Sequence, residues 1–183
     1  MERSVALIAI FAALIAALGF LPQVMMAPGV PFTLQNLGIM LCGTILGAKR
    51  GALAVLLFLA LAALGLPILV GGRGGLGVFF GPTAGFLLGF PVAAFVTGLI
   101  MERTRSLNVA WAAMIAAAIG GILVLYALGI SGFMLVTGND LIKSVTIMSA
   151  FIPGDIIKVV LAGVVTAALA KARPASVLTR ATP

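Results

Sequence analysis

Residues 51–69 have the sequence GALAVLLFLALAALGLPIL, and they follow a basic pair at Lys49 and Arg50. The run from Ala52 to Ala63 is apolar on every face of a helix, which is typical of a helix surrounded by lipid. A strand of a membrane barrel would alternate apolar and polar residues instead. About 20 apolar residues are needed for a helix to cross a bilayer. This stretch therefore predicts a transmembrane helix.

The rest of the chain has the same character. Its 183 residues are 63% hydrophobic and 8% charged, whereas a soluble domain carries roughly 25% charged residues. Eleven Lys and Arg with four Asp and Glu cannot cover a soluble fold. We predict a single all-α membrane domain, residues 1–183, whose six transmembrane helices lie at 4–22, 31–48, 51–69, 82–101, 108–130 and 150–170.

Basic residues are distributed unevenly between the two sides of this predicted bundle. One side receives Arg73 and Lys143, and Lys158 lies near or within the last span. Because cytoplasmic loops carry an excess of Lys and Arg, the richer side and both termini are predicted to be cytoplasmic. No basic stripe with interleaved aromatic residues indicates nucleic-acid binding. The richer side carries Arg3, Lys49, Arg50, Arg103, Arg105, Lys171, Arg173 and Arg180.

Each even-numbered predicted helix begins on the outer side with a proline and polar residues. Proline suits the first turn of a helix, because its missing N–H would have no partner there. The prolines can simply start the helices. Alternatively, or in addition, three positive helix N-termini meet near the outer face and favour an anionic ligand group. The segments are Pro31-Phe32-Thr33 with Gln35-Asn36, Pro82-Thr83, and Pro153-Gly154-Asp155.

Asp155 and Lys158 stand three residues apart, on one face of the last predicted helix. Ionisable residues inside a span are costly and by default mark a functional site. The alternative is a structural ion pair that reaches the interface. A functional pair suits a ligand with both donors and acceptors, since a carboxylate accepts from N–H groups and an ammonium group binds a carboxylate or carbonyl.

A glycine-rich segment, residues 71–85, connects the third and fourth predicted helices. Glycine lets backbone approach a ligand closely and also flexes, which predicts a gate or lid over an outward-facing pocket. A plain turn is the alternative. The G-x-G-x-x-G pattern from Gly72 to Gly77 does not indicate a dinucleotide site, because no strand precedes it.

Other kinds of chemistry find little support in the residues. The chain has no histidine and one cysteine, Cys42, in an apolar stretch, so neither a metal cluster nor an internal disulfide is expected. The nearest approach to a Walker A motif, from Gly138 to Ser144, lacks the glycine before its lysine. We expect no ATP hydrolysis by this chain, no catalysis and no cofactor.

The first predicted helix carries alanines in two overlapping small-xxx-small registers. Small faces let membrane helices pack closely. The contact can form within this chain or with a partner subunit. The registers are Ala9/Ala13/Ala17 and Ala12/Ala16.

Three blocks of sequence resemble the BioY family, the biotin-specific S components of energy-coupling-factor (ECF) transporters. They are VPFTLQ at 30–35, GLGVFFGPTAGFLLGF at 75–90 and FIPGDIIK at 151–158, and they follow the family's order over essentially the whole chain. The resemblance implies a six-helix S component of a bacterial or archaeal cytoplasmic membrane, with biotin as the transported ligand in an outward-facing pocket. It also implies a transmembrane T component and two cytoplasmic ATPases as partners.

The resemblance further implies roles for individual residues. Asp155 and Lys158 match the family's D-x-x-K pair, which is expected to hold polar groups of biotin, and the first-helix alanines are similar to the face that S components present to the T component. Ala84 departs from the glycine of many members, and we expect no change of ligand from it. The full expected substrate-binding set is Asp155, Lys158, Arg73, Gly75, Gly77, Phe79, Thr33 and Gln35, where Arg73 is assigned from its charge and position.

Three other functions stay open at this point. An S component for another vitamin or lipoate would keep the architecture and change the pocket. A secondary transporter without ATPases often shows inverted repeats and helices broken at the midplane, and neither is found in the sequence. A purely structural subunit would not need an intramembrane Asp/Lys pair. The sequence leaves open whether the chain forms a homo-oligomer.

Overall fold

The computed structural model describes the backbone of residues 2–21, 24–27 and 30–180, and the side chains of 2–21 and 33–180. Within these ranges most of the chain is helical. A short antiparallel hairpin of β1 (Val24–Ala27) and β2 (Val30–Phe32) lies between the first two helices, with Val24 opposite Phe32. The helices are α1 (Glu2–Gly19), α2 (Gln35–Leu41), α3 (Ala48–Ala63), α4 (Ala84–Arg103), α5 (Val109–Ala118), α6 (Leu125–Thr137), α7 (Leu141–Ser149) and α8 (Ile152–Ala172).

Two π-helical turns join helices into longer segments. Cys42–Leu46 extends α2, and Ile119–Val124 connects α5 to α6 without a break. Six helical segments therefore occupy the positions of the six predicted spans. Four of them are long and apolar enough to cross a membrane: Glu2–Gly19, Ala84–Arg103, Val109–Thr137 and Ile152–Ala172. Gln35–Leu46 is a shorter apolar helix, and α3 has 16 residues. These observations support a multi-pass, helical membrane protein.

Several predicted boundaries are wrong at the end of the bundle where α2, α4 and α8 begin. The second helix begins at Gln35 rather than at 31, because residues 30–32 form β2. The third helix ends at Ala63, six residues early, and the fifth continues to Thr137. Pro28 and Gly29, which were expected to separate the first two spans, lie outside the described residues. Helical periodicity alone does not reveal where a hairpin or an irregular loop takes over.

The prediction that a proline opens each even-numbered helix holds for one of the three. Pro153 lies in the first turn of α8. Pro31 belongs to strand β2, and Pro82 precedes the N-cap residue of α4, Thr83. Proline is compatible with a short edge strand or a turn as well as with a helix start, because each of these can accommodate its missing N–H.

Small residues let the helices of the core approach closely. α4 lies at the centre and packs against α3, α5 and α6, while α8 packs against α5 and α2. A methyl group on Gly98 would collide with the backbone of Gly47 and Ala48, and Gly85 and Gly132 meet at the crossing of α4 and α6. Fully buried side chains such as Phe58 and Met101 fill the space between the helices. The glycines thus set the helix spacing on which the pocket depends.

The described parts of both chain termini lie at one end of the bundle. Arg3 Nη2 donates to Ala175 O at 2.7 Å, and Thr179 Oγ1 donates to Thr44 O at 2.8 Å. Arg180 reaches the loop between α4 and α5. We call this end, which carries the eight basic residues of the richer side, the basic end. We call the opposite end, where α2, α4 and α8 begin, the pocket end.

Candidate ligand-binding site

A partly open pocket lies at the pocket end, where residues at the starts of α2, α4 and α8 meet residues of α6 and of the 64–75 loop. Its walls are mostly apolar, with polar groups at a few points, which is the usual composition of a site for a small molecule. The apolar lining consists of Leu69, Val70, Phe86, Leu87, Phe90, Leu125, Met148 and Phe151. The polar lining consists of Thr33, Gln35, Asn36, Arg73, Thr83, Tyr126, Asp155 and Lys158.

The predicted pair on α8 forms a buried salt bridge in this pocket. Lys158 Nζ lies 2.7 Å from Asp155 Oδ1, and the two residues are 3% and 4% exposed. Their i,i+3 spacing places both on the face of α8 that turns toward α2 and α6. A buried charge without a partner is very unfavourable, so the two side chains depend on each other for a partner of opposite charge.

Two other helices hold the Asp155 carboxylate from the sides. Tyr126 OH, on α6, donates to Asp155 Oδ2 at 2.6 Å, and Asn36 Nδ2, on α2, donates to Oδ1 at 3.3 Å. Hydrogen bonds to an ionised acceptor are shorter and stronger than those between neutral groups. The carboxylate therefore has a defined orientation, set by three separate helical segments.

Asn36, which lines the pocket, has a buried acceptor without a partner. Its Nδ2 donates to Asp155 Oδ1 and to Gly121 O, in the π-helical turn after α5, at 3.4 Å. These two acceptors assign the amide orientation, so Oδ1 points away from them. Oδ1 has no hydrogen-bond partner although the residue is buried. Since a buried acceptor without a partner is costly, Asn36 Oδ1 is suited to an N–H group of a ligand.

Gln35 lines the pocket, but the polar atoms of its side chain form hydrogen bonds with the protein backbone. Its Nε2 donates to Ile15 O at 3.2 Å and to Ile68 O at 3.0 Å, and its Oε1 accepts from Val70 N at 3.1 Å. The side chain thus ties α1 and the 64–70 loop to the start of α2. A direct role in ligand binding, which we predicted, stays a prediction. The contacts are those of a residue that positions the pocket wall.

Arg73 lies on the exposed side of the pocket in a tight glycine turn. Its backbone pairs with Leu69 through two hydrogen bonds, and Gly71 and Gly72 between them have φ of +73° and +68°. These left-handed conformations favour glycine. Arg73 Nε donates to Val70 O at 3.2 Å, and the residue is exposed. The turn therefore presents a cationic side chain at the pocket.

The remaining predicted residues divide between the pocket and its surroundings. Thr33 lines the pocket, and its hydroxyl accepts from Gln35 N at 3.2 Å. Gly75, Gly77 and Phe79 are not among the lining residues. Phe79 packs against the core from the 3-10 turn Leu76–Phe80. A lid function for this turn remains a prediction.

Sequence reasoning missed Tyr126 and did not include Asn36 in the site. The Tyr126 ring meets Phe86 edge to face, with centroids 6.0 Å apart and planes at 86°. One signal was present, because Tyr126 is the single tyrosine of the chain and lies inside a long apolar run. A phenolic hydroxyl in such a run needs a hydrogen-bond partner, so it should have been considered together with Asp155.

The alanines of α1 separate into two faces. Ala12 is buried and Ala16 is half-buried within the chain, whereas Ala9, Ala13 and Ala17 are exposed. The Ala12/Ala16 register therefore packs inside this chain, and the Ala9/Ala13/Ala17 register remains accessible on the surface of the bundle. Contact of the exposed Ala9/Ala13/Ala17 face with a partner subunit stays a prediction.

Comparison with known proteins identifies the family. The model of the BioY family matches residues 2–175. The chain belongs to the BioY family. This confirms the family that the three sequence blocks predicted. The match covers α1 to α8 and therefore every residue of the pocket.

Individual BioY-family relatives are similar over nearly their full length. The chain is 57% identical over 189 residues to the biotin transporter BioY of Rhodobacter capsulatus, with 98% of this chain and 100% of the relative covered. It is 50% identical over 166 residues to the biotin transporter BioY of Rhizobium etli, covering 87% and 89% of the two chains.

A solved structure has a similar fold. The crystal structure of the S-component for biotin from an ECF-type ABC transporter superposes with a TM-score of 0.87 at 33% identity. The superposition covers 93% of this BioY-family chain and 92% of the solved one. The S-component fold is therefore shared, and the helical character predicted from the sequence is confirmed.

Proposed function

We propose that this chain is the S component of an ECF-type ABC transporter and that it captures biotin for uptake across the cytoplasmic membrane. The observation that carries the proposal is the buried Asp155–Lys158 pair, held by Asn36 and Tyr126 in a mostly apolar pocket. Biotin combines a polar ureido group, an apolar thioether ring and chain, and a carboxylate. The relatives named biotin transporter and the solved biotin S-component support the same ligand.

In the proposed membrane arrangement, the chain crosses the bilayer six times, through the six helical segments and the residues that continue them, and both termini are cytoplasmic. The basic end carries eight Lys and Arg residues and therefore faces the cytoplasm by the positive-inside rule. The pocket then opens to the outside. The segment from Gln35 to Leu46 would rise roughly 18 Å at helical spacing, less than the thickness of the hydrocarbon core. Asn36 would therefore lie below the outer membrane surface.

The polar groups of the pocket favour one orientation of biotin. Asp155 and the unused Asn36 Oδ1 are acceptors, and the ureido ring of biotin offers two N–H donors. Arg73 also lines the pocket, and its cationic side chain is exposed. We therefore place the ureido group at Asp155 and Asn36 and the carboxylate toward Arg73, with the thioether ring between them near Phe86 and Phe90.

Transport requires energy from partner subunits in this proposal. S components work with a T component and ATPases, and this chain has no ATPase motif of its own. The exposed register Ala9/Ala13/Ala17 of α1 offers a small, smooth face to a membrane helix of the T component. Ala13→Leu should reduce co-purification with the T component and leave biotin binding unchanged. Ala168→Leu, at an exposed alanine of α8, is the matched control.

Equilibrium binding of radiolabelled biotin to the detergent-purified chain tests the function. Unlabelled biotin, lipoate and thiamin serve as competitors. We expect tight, saturable binding that only unlabelled biotin displaces. Displacement by lipoate or thiamin would assign another ligand, and absence of binding by correctly folded protein would remove the biotin assignment.

Biotin amide, which lacks the negative charge of the tail, tests the orientation. Arg73→Gln should weaken binding of biotin about tenfold, the effect of losing about 1.4 kcal/mol, and leave the affinity for biotin amide unchanged. Asp155→Asn should weaken binding of both ligands. Lys143→Gln, at an exposed lysine of α7, controls for the change of net charge. If Asp155→Asn weakened only biotin and Arg73→Gln weakened both ligands, the ligand would bind in the reverse orientation.

A further inference from the structure

A second concave site lies at the basic end, on the surface of the helix bundle away from its core. It is a groove between the π-helical end of the α2 segment, the start of α3 and the second half of α4. Lys49 and Arg50 stand at one side, and Phe95 and Leu99 form an apolar wall. The groove shares no residue with the ligand pocket.

Its two cations occupy an unfavourable place for positive charge. Lys49 and Arg50 are exposed and lie in the first turn of α3, where the helix dipole favours anions. Over residues 33–180 neither side chain has a hydrogen bond or a salt bridge. Two adjacent cations beside a groove therefore face solvent or an external anion.

The acidic residue in the groove is already engaged. Glu102 Oε1 accepts from Ala48 N, the first residue of α3, at 2.9 Å. Glu102 thereby occupies the N-terminus of α3, and its charge faces the positive end of that helix. The side chains of Lys49 and Arg50 are therefore the cationic groups that the groove offers to an external anion.

An exposed apolar track leads away from these cations along both helices. On α3, Leu53 is 50% and Leu57 37% exposed, four and eight residues after Lys49 and on the same face. On α4, Leu88 and Val92 continue the line of Phe95 toward the pocket end, with 64% and 45% exposure. A small soluble anion would make no use of this track, whereas acyl chains would cover it.

We propose that this groove is a binding site for an anionic phospholipid of the cytoplasmic leaflet. The phosphate group lies against Lys49 and Arg50, and the acyl chains follow the exposed faces of α3 and α4. Basic recesses between membrane helices on the cytoplasmic side are suited to anionic headgroups. The proposal depends on the cytoplasmic placement of the basic end and does not depend on the identity of the pocket ligand.

Native mass spectrometry of the detergent-purified full chain tests the site. The chain is titrated with phosphatidylglycerol and with phosphatidylethanolamine of the same acyl chains. We expect phosphatidylglycerol to bind at least about fivefold more tightly. The double variant Lys49→Gln/Arg50→Gln should lower its affinity to that of phosphatidylethanolamine. Lys171→Gln/Arg173→Gln, which removes two exposed charges at the basic end outside the groove, should bind phosphatidylglycerol as the unmodified chain does.

Three results would overturn the proposal. The first is unchanged phosphatidylglycerol binding by Lys49→Gln/Arg50→Gln. The second is displacement of the lipid by glycerol 3-phosphate at similar concentration, which would indicate a site for soluble anions. The third is loss of T-component binding by the double variant in lipid-free detergent, which would make the groove a protein interface. Biotin binding by each variant, measured in parallel, reports that the chain is folded.

Discussion

The two ends of the bundle use polar side chains for different purposes. At the basic end, three threonines bind other parts of the protein: Thr44 Oγ1 and Thr166 Oγ1 lie 2.9 Å apart in the core, and Thr179 Oγ1 donates to Thr44 O. At the pocket end, Asp155 is held in place, and Asn36 Oδ1 remains without a partner. Thr44, Thr166 and Thr179 thus bond to the protein itself, whereas Asn36 beside the pocket keeps one acceptor without a partner.

Two arginines illustrate the same difference. Arg180 Nη1 donates to Arg105 O at 2.7 Å and to Leu107 O at 3.1 Å, so it joins the end of the chain to the α4–α5 loop. Burial, followed by the charge of Arg105, lowers the pKa of Arg180. Arg73 makes one local bond, to Val70 O, and stays exposed. The same side chain thus fastens the fold at one end and remains accessible at the other.

The largest expected effect is at Asp155. Asp155→Asn should lower biotin affinity at least about 100-fold, equivalent to about 2.8 kcal/mol, because the charged acceptor is lost. It should also lower the Tm, since Lys158 then lies buried without its carboxylate. Equilibrium binding and thermal unfolding in detergent measure the two effects.

A double variant separates these effects on affinity and stability. Asp155→Asn with Lys158→Met removes both charges, so the Tm should recover relative to Asp155→Asn. Biotin affinity should not recover. Tight biotin binding by the double variant would show that the pair is structural and that recognition depends on other groups.

The next effect concerns the close packing of α4 against the start of α3 at the basic end. Gly98→Ala places a methyl group against the backbone of Gly47 and Ala48 and should cost about 1–3 kcal/mol of folding free energy. Biotin affinity of the folded fraction should not change. Gly77→Ala is the control, because no heavy atom lies within 4 Å of the added carbon. Equal destabilisation by both variants would contradict the role given to close packing.

A smaller effect is expected at Tyr126. Tyr126→Phe keeps the ring against Phe86 and removes the hydroxyl that donates to Asp155 Oδ2. Loss of this hydrogen bond to a charged group should reduce biotin affinity about tenfold. Ser131→Ala, which removes an exposed hydroxyl from the same helix, should bind biotin normally. Unchanged affinity of Tyr126→Phe would mean that α8 and α2 alone orient the carboxylate.

The smallest effect is expected at Thr179. Thr179→Val leaves the buried carbonyl of Thr44 without this donor and should cost about 1 kcal/mol of folding free energy. Biotin affinity should stay the same, because the contact lies at the basic end. Thr146→Val, at an exposed threonine that bonds within its own helix, is the control. A change in biotin affinity would link the two ends of the bundle.

Features that depend on residues close together in the sequence were predictable from it. Long apolar runs require lipid and a helix, because only internal backbone hydrogen bonds satisfy the main chain there. The i,i+3 spacing of Asp155 and Lys158 places them on one helix face whatever surrounds it. Even so, the observed helix ends differ from the predicted ones where a loop or hairpin forms in place of the helix, as at Gln35 and Ala63.

Only the tertiary structure decided how the site is completed. Asn36 and Asp155 are separated by 119 positions in the chain, and Tyr126 and Asp155 by 29. Whether such side chains meet depends on helix spacing and rotation, which glycines and π-helical turns set through contacts between distant segments. The sequence by itself determined a helical membrane protein with a charged pair in its last span. Packing determined which groups surround that pair, because one sequence of apolar helices is compatible with many arrangements of those helices.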